Sequence, residues 1–435
     1  MAAFVALLLA LVAAAGWPML GEYRWTFDLF QFRLRFGRLE AVFILVLCWQ
    51  LFVLAERRRA MARAGAQPSP AAMAREAVAL CVLLGILAAA VVSRDLITML
   101  FFWQASAIPA AWLGAFSDSA GSRQRVSWAV GFLLAHFAGS IAMLAAFAVV
   151  WAQTQTTDPF AAGMSLVFRA GAPERAASLL LFVGLAACVV AAAALGARLR
   201  LIALAAPIIT VGGFLLLRTW QLLFSEYALG PASGPLLWAF SLAACCILGA
   251  SVMVRGPGAG FSLIAAAQAA FCLFAVAASG LGRSLAGPAA AYLAAVGLAL
   301  PVLAVLAESL SEQQERRRGA ASGQQAATSV VLAALLLALL PVPWISGGQS
   351  LLAISRALWY GEGGPVVVIA CAFAVMVVSA VLHLRRSEWV PASRGGWQPV
   401  VAVALAAALA LAAVTAAGWT QATAQQMARL TREGG

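Results

Sequence analysis

Residues 93–116 read SRDLITMLFFWQASAIPAAWLGAF. A short polar break, Ser93-Arg94-Asp95, is followed by about twenty residues with no charge. That is the length a helix needs to cross a hydrocarbon core of about 30 Å at about 1.5 Å per residue. Two features inside the run are unlike lipid-facing filler. Gln104 places an uncharged polar group mid-span, and Pro109 sits where a helix kinks or breaks and frees a backbone carbonyl.

The same pattern recurs along the chain. Apolar runs of this kind occupy 2–20, 39–55, 76–93, 95–116, 127–152, 176–197, 201–224, 236–254, 261–282, 287–307, 327–345, 364–384 and 397–418. The expected fold class is therefore an all-α integral membrane protein of about thirteen transmembrane helices, a single polytopic domain over 1–435. The first run lacks a basic n-region and reads as a retained helix, not a cleaved signal. Composition agrees: of 435 residues, 64% are apolar and only 10% charged, and the mean hydropathy is +0.96. Sixteen acids and 28 basic residues cannot cover so much apolar surface in water. A soluble enzyme and a nucleic-acid reader are thereby excluded, despite the net charge of +12.

All 28 basic residues are arginine, and all but Arg218, one or two turns from the end of its run, sit outside the apolar runs. With a cytoplasmic N-terminus, the inner connections collect Arg57–Arg59, Arg63, Arg75, Arg123, Arg125, Arg198, Arg200, Arg255, Arg316–Arg318, Arg385, Arg386 and Arg394, which is 16 of the 28. The positive-inside rule then puts the N-terminus in and the C-terminus out, against the dissent of Arg24, Arg33, Arg35 and Arg38. The longest connections, 21–38, 56–75 and 153–175, are too short for a soluble domain, and 56–75 and the polar, Arg-rich 309–326 read as ordinary solvated loops. No GxSxG, HExxH, Walker or Gly-rich nucleotide motif is present, so no catalytic residue, cofactor or metal site is expected. The seven cysteines lie in apolar runs without CxxC spacing and read as small core residues.

Ion or proton movement needs ionisable groups within the bilayer. Every acid falls in a connection or at a helix end, and His383 is read as a helix-end residue beside Arg385. His136 is left as the one mid-membrane group that titrates near neutral pH; an imidazole hydrogen-bonded to a neighbouring helix and a proton relay both fit it. Gln104, Thr210 (beside Gly212-Gly213) and Gln268 are uncharged polar candidates, readable as interhelical glue. Pro207 and Pro301 join Pro109 as intrahelical prolines.

The 93–116 segment resembles a signature of the antiporter-like, proton-pumping subunits of respiratory complex I (NADH-quinone oxidoreductase) and of Mrp-type cation/proton antiporters. There an Asn/Asp-Leu-Leu start, a Trp-Glu pair and a small-residue/aromatic tail follow one another at this spacing. Trp103 matches the Trp, and Gln104 stands where the family has its Glu. Further similarities follow in the same order: RFGRLEAVFI at 35–44, LLFVGLAAC at 180–188 with Cys188 at the position of a buried Lys, and IALAAPIITVGGFLLLRTWQLLF at 202–224. IAAAQAAF at 264–271 and AYLAAVGLALPVLAVL at 291–306 continue it. In the latter, Tyr292, Val296 and Leu300 occupy a His-x3-His-x3-Lys pattern.

The resemblance implies an antiporter-like core over about 35–384, with two pseudo-repeated bundles containing broken helices. It also implies partners: other membrane subunits of a multi-subunit complex in a bacterial-type inner (cytoplasmic) membrane. Gln104, Cys188 and Leu300 depart from the family's titrating residues, and with no Lys in the chain its Lys–Glu relay cannot be assembled. Gln104, His136, Cys188, Thr210, Gln268 and Leu300 are then candidate vestigial channel positions. The expected function is a degenerate antiporter-like subunit, structural and not itself proton-pumping. The alternatives are a membrane subunit of an inorganic-carbon uptake complex, or an unrelated small-molecule permease.

Overall fold

A computed structural model describes residues 22–27, 30–35, 38–63, 70–115, 122–167, 171–199, 202–224, 232–316, 346–359 and 361–386. The expected spans at 2–20, 327–345 and 397–418, and with them both termini, lie outside the described residues. The chain divides into two compact units, Met1–Leu195 with Leu204–Gly230, and Gly196–Ala203 with Pro231–Gly435.

The first unit opens with a hairpin of β1 (Glu22–Phe27) and β2 (Phe30–Arg35), in antiparallel register with Glu22 opposite Arg35 and Phe27 opposite Phe30. The hairpin lies in 21–38, which the sequence reading took as a connection without assigning it strands. Helices follow: α1 (Arg38–Arg63), α2 (Pro70–Val92), α3 (Leu96–Ala115), α4 (Ser122–Thr154), α5 (Pro159–Val167), α6 (Ala172–Leu199) and α7 (Ile202–Leu223). The polar break before α3 is its cap: Asp95 accepts from the Thr98 amide at 2.7 Å and from the Thr98 hydroxyl at 2.5 Å. Helix α4 ends where Gln155 turns left-handed at φ 55°, the conformation that terminates many helices. Asp158 then caps the short α5 and pairs with Arg94 at 3.0 Å, which joins the starts of α3 and α5. That short helix lies in the 153–175 connection, where the sequence reading assigned no element.

Helix α7 is apolar around most of its circumference and almost wholly buried, as expected of a helix surrounded by others. In the second unit the same part is played by α9 (Pro257–Ser279), which packs against α8 (Ser233–Met253), α10 (Ala286–Arg316) and α12 (Gly363–Arg386). A thirteen-residue amphipathic helix, α11 (Ser346–Leu358), lies against α10.

Among the described residues, eight helices are long and apolar enough to cross a membrane, and two shorter apolar stretches, Leu39–Gln50 and Ala286–Pro301, fall within α1 and α10. The ten spans expected within the described residues therefore all form helices. Pro109, Pro207 and Pro301, read as points where helices kink or break, lie inside helical segments that continue through them. Inside a bilayer an interrupted backbone has no water to satisfy it, so continuing the helix costs less than stopping it.

Candidate functional site

In the first unit the polar groups converge on Trp103. Its indole is fully buried, and Gly212 on α7 makes room for it: a Cβ there would stand 3.0 Å from Trp103 Cη2 and 2.6 Å from Val189 Cγ2. Helices α4 and α6 meet at two glycines. A Cβ on Gly139 would come within 2.5 Å of both Cys188 Sγ and the Gly184 carbonyl oxygen, and one on Gly184 within 2.6 Å of the Gly139 oxygen. This close approach sets Cys188 beside His136, whose backbone carbonyl accepts from the thiol at 3.7 Å. On the other side, His136 Nε2 lies 3.2 Å from the Trp103 carbonyl oxygen. A carbonyl only accepts, so Nε2 donates, and Nδ1 is the basic nitrogen; it is buried without a hydrogen-bond partner among the described residues. The His136 ring rests against the Trp103 ring (centroids 5.0 Å apart) and the Phe132 ring (5.5 Å). One residue along α3, the Gln104 side-chain carbonyl accepts from the Ser140 hydroxyl on α4.

Gln104, His136 and Cys188 thus form one neighbourhood built on α3, α4 and α6. Thr210 belongs to a second contact, accepting from Gln50 Nε2 at 3.0 Å while donating to the Ala206 carbonyl at 2.9 Å. Every one of these side chains is neutral or, for His136, held through a neutral carbonyl. Asp95 and Glu174 are buried and open α3 and α6. Near the end of α7, Arg218 donates to the carbonyls of Val91 and Ser93 and lies 3.7 Å from Glu40 at the start of α1.

In the second unit Gln268 on α9 is fully buried, accepting from the Tyr292 hydroxyl of α10 at 3.1 Å and donating to Met376 Sδ of α12 at 3.4 Å. Val296 and Leu300 are fully buried on α10 and bring no polar group. His383 lies in the last turn of its helix, as the sequence reading had it, and its burial is what the sequence did not show. It is 0% exposed, because Gly260 of α9 leaves the space its ring occupies. Its Nε2 lies 2.7 Å from the Ser251 carbonyl, and the Ser251 hydroxyl meets that of Ser379 at 2.6 Å. His136 is therefore not the sole buried imidazole; each unit holds one against a backbone carbonyl.

Sequence reasoning missed Gln50, Ser140, Ser251, Ser379 and the burial of His383. The rule that picked out Gln104 and Gln268, an amide within an apolar run, applies equally to Gln50 in LCWQLFVL. Among the described residues no group of three or more His, Cys, Asp or Glu side chains comes together as a metal site would require.

No family model matches the sequence, and no curated protein matches it. Solved structures do. A chain of respiratory complex I from Thermus thermophilus, determined with bound NADH, superposes with a TM-score of 0.72 at 17% identity, covering 98% of this chain and 92% of that one. A chain of the Mrp complex from Dietzia sp. gives 0.69 at 15% identity, covering 99% and 91%. A chain of the membrane-bound sulfane sulfur reductase, an archaeal respiratory membrane complex, gives 0.69 at 17% identity, covering 98% and 91%. The protein is a multi-pass membrane protein with the antiporter-like fold that its sequence resembles.

Proposed function

We propose that this chain is a membrane subunit of a complex-I-like, hydrogenase-like or Mrp-like ion-translocating assembly, and that it serves that assembly structurally without pumping protons itself. One observation supports the second half: the hydrogen-bonded polar groups around Trp103 all meet neutral partners. Gln104 is engaged with Ser140, the Cys188 thiol with the His136 carbonyl, and His136 with the Trp103 carbonyl. A relay of alternating acid and base works by charge coupling across a few ångströms of low dielectric. Here an amide and a thiol stand where the resemblance calls for an acid and a lysine, and Leu300 stands at the second lysine position. The fold supports the first half, because the three similar structures named above are of membrane complexes.

The arginine clusters support an N-terminus in the cytoplasm of a bacterial-type cell, with the chain in the inner membrane. Purification of the tagged chain from its native membrane in mild detergent tests the assignment. Stoichiometric membrane partners are expected; a stable lone monomer contradicts it. The topology is tested by reporters, with one inserted at 60–65 expected to read as cytoplasmic and one at the C-terminus as external.

A further inference from the structure

Three of the seven cysteines gather on one helix pair of the second unit, Cys245 and Cys246 on α8 and Cys371 on α12. The two helices pack against each other and run in the same direction. Near their starts the Trp238 ring of α8 covers Gly364 of α12; further along, the Ser251 and Ser379 hydroxyls meet at 2.6 Å. Seven residues after Trp238 and Gly364, about two helical turns, come Cys245 and Cys371, level with each other between those two contacts. The Cys245 thiol crosses the seam: it donates to the Val368 carbonyl of α12 at 3.5 Å. Cys371 follows Val368 by three residues, the place from which a helical side chain reaches back to that carbonyl. The two thiols therefore flank one backbone oxygen, and Cys371 lies within electrostatic reach of Cys245.

Cys246 is partner to neither. It is turned about 100° round α8 from the side chain that meets α12. Adjacent Cα atoms stand about 3.8 Å apart, closer than the roughly 4.4–6.8 Å that a disulfide bridges, which disfavours a bond to Cys245. The pair itself is open to reagents: Cys371 is exposed and Cys245 half-buried, and their neighbours Leu242 and Val367 are exposed too. All four fall within the spans Ser233–Met253 and Gly363–Ala380, so the medium that reaches them is hydrocarbon.

We propose that Cys245 and Cys371 are a redox pair, closed to a disulfide between α8 and α12 by a lipid hydroperoxide carried in the surrounding bilayer. The sulfur of Cys371, the more exposed thiol, attacks the terminal oxygen of the hydroperoxide. The O–O bond breaks, the lipid alcohol leaves with the thiol proton, and a sulfenic acid remains. The sulfur of Cys245 then attacks that sulfur; the S–S bond forms, the S–O bond breaks, and hydroxide leaves with the second thiol proton as water. Two thiols give up two electrons in all, and one hydroperoxide becomes an alcohol and water. A thiol reductant reverses the bond. The proposal is independent of whether the subunit pumps.

The full chain, reduced and reconstituted into liposomes, is exposed to a phospholipid hydroperoxide, then denatured, alkylated with N-ethylmaleimide and weighed intact. Before oxidation seven adducts are expected, one for each cysteine; after it five, two fewer, returning to seven with dithiothreitol. A non-reduced digest should contain the Cys245 and Cys371 peptides joined. That joined peptide should vanish in Cys245→Ser and in Cys371→Ser and persist in Cys246→Ser. Seven adducts after oxidation, or thiols lost without the joined peptide, overturns the pairing. So does a disulfide that uses Cys246 or links two chains.

Discussion

Two glycines on α4 respond oppositely to the same substitution. Gly139 faces α6, where an added methyl would lie 2.5 Å from Cys188 Sγ and from the Gly184 oxygen, about 1 Å inside ordinary van der Waals contact. Gly131, eight residues earlier on the same helix, would place its Cβ with nothing within 4 Å. Gly139→Ala must push α4 and α6 apart at a backbone that cannot yield like a flexible side chain, and overpacking of this sort costs about 1–3 kcal/mol. Gly131→Ala carries no such clash and removes the conformational freedom of glycine in a helix, so it should be neutral or stabilising by up to about 1 kcal/mol. The gap between the two variants should then be about 1–4 kcal/mol. Equilibrium unfolding in mixed detergent micelles, followed by helical circular dichroism, measures it. Separation of α4 from α6 should also loosen the Cys188 thiol from the His136 carbonyl, so Cys188 should react faster with a small alkylating agent in Gly139→Ala alone. Equal stabilities and equal thiol reactivity in the two variants would refute the close packing at Gly139 and Gly184 on which the Trp103 cluster rests.

Two further substitutions probe the other polar contacts. Tyr292→Phe removes the donor to the buried Gln268 carbonyl and should cost about 1 kcal/mol in the same unfolding assay, within the range of interhelical hydrogen bonds in membranes; combined with Gln268→Leu it should show a coupling of about that size. Arg218→Met leaves the Val91 and Ser93 carbonyls and Glu40 without their shared cation, so it should cost about 3 kcal/mol or more, while Glu40→Gln, which keeps the two carbonyl contacts, should cost about 1 kcal/mol.

The spanning helices were legible because twenty apolar residues between charged breaks admit little else, and Asp95 marks the start of α3 in sequence as it does in space. Elements shorter than a span were not. Helices α5 and α11 fall below the length that a bilayer crossing demands, and the β1–β2 hairpin lies in a stretch read only as a connection between spans. The alternation in FQFRLR, apolar at Phe30, Phe32 and Leu34, is the period-two signal that would have found it. Of the site, the residue types were readable but the pairings were not. Gln50 reaches Thr210 across 160 positions, and His383 reaches Ser251 across 132. Such contacts depend on which helices become neighbours, and a local window carries no information about that. The burial of His383 turned on Gly260, a residue 123 positions away whose lack of a side chain is what admits the ring.

Ion flux through the purified chain, reconstituted alone into liposomes under an imposed pH or Na⁺ gradient, tests the central claim most directly. Trp103, Gln104, His136 and Cys188 form a neutral cluster with no acid or lysine beside it, so flux should not exceed that of empty vesicles. Gln104→Glu should not restore it, because Cys188 cannot supply the cationic partner, and a charge at the centre of a span costs about 2.5–3.5 kcal/mol even on insertion-based scales. Gradient-driven, pH-dependent flux in the wild-type chain that disappears in His136→Ala would contradict the account.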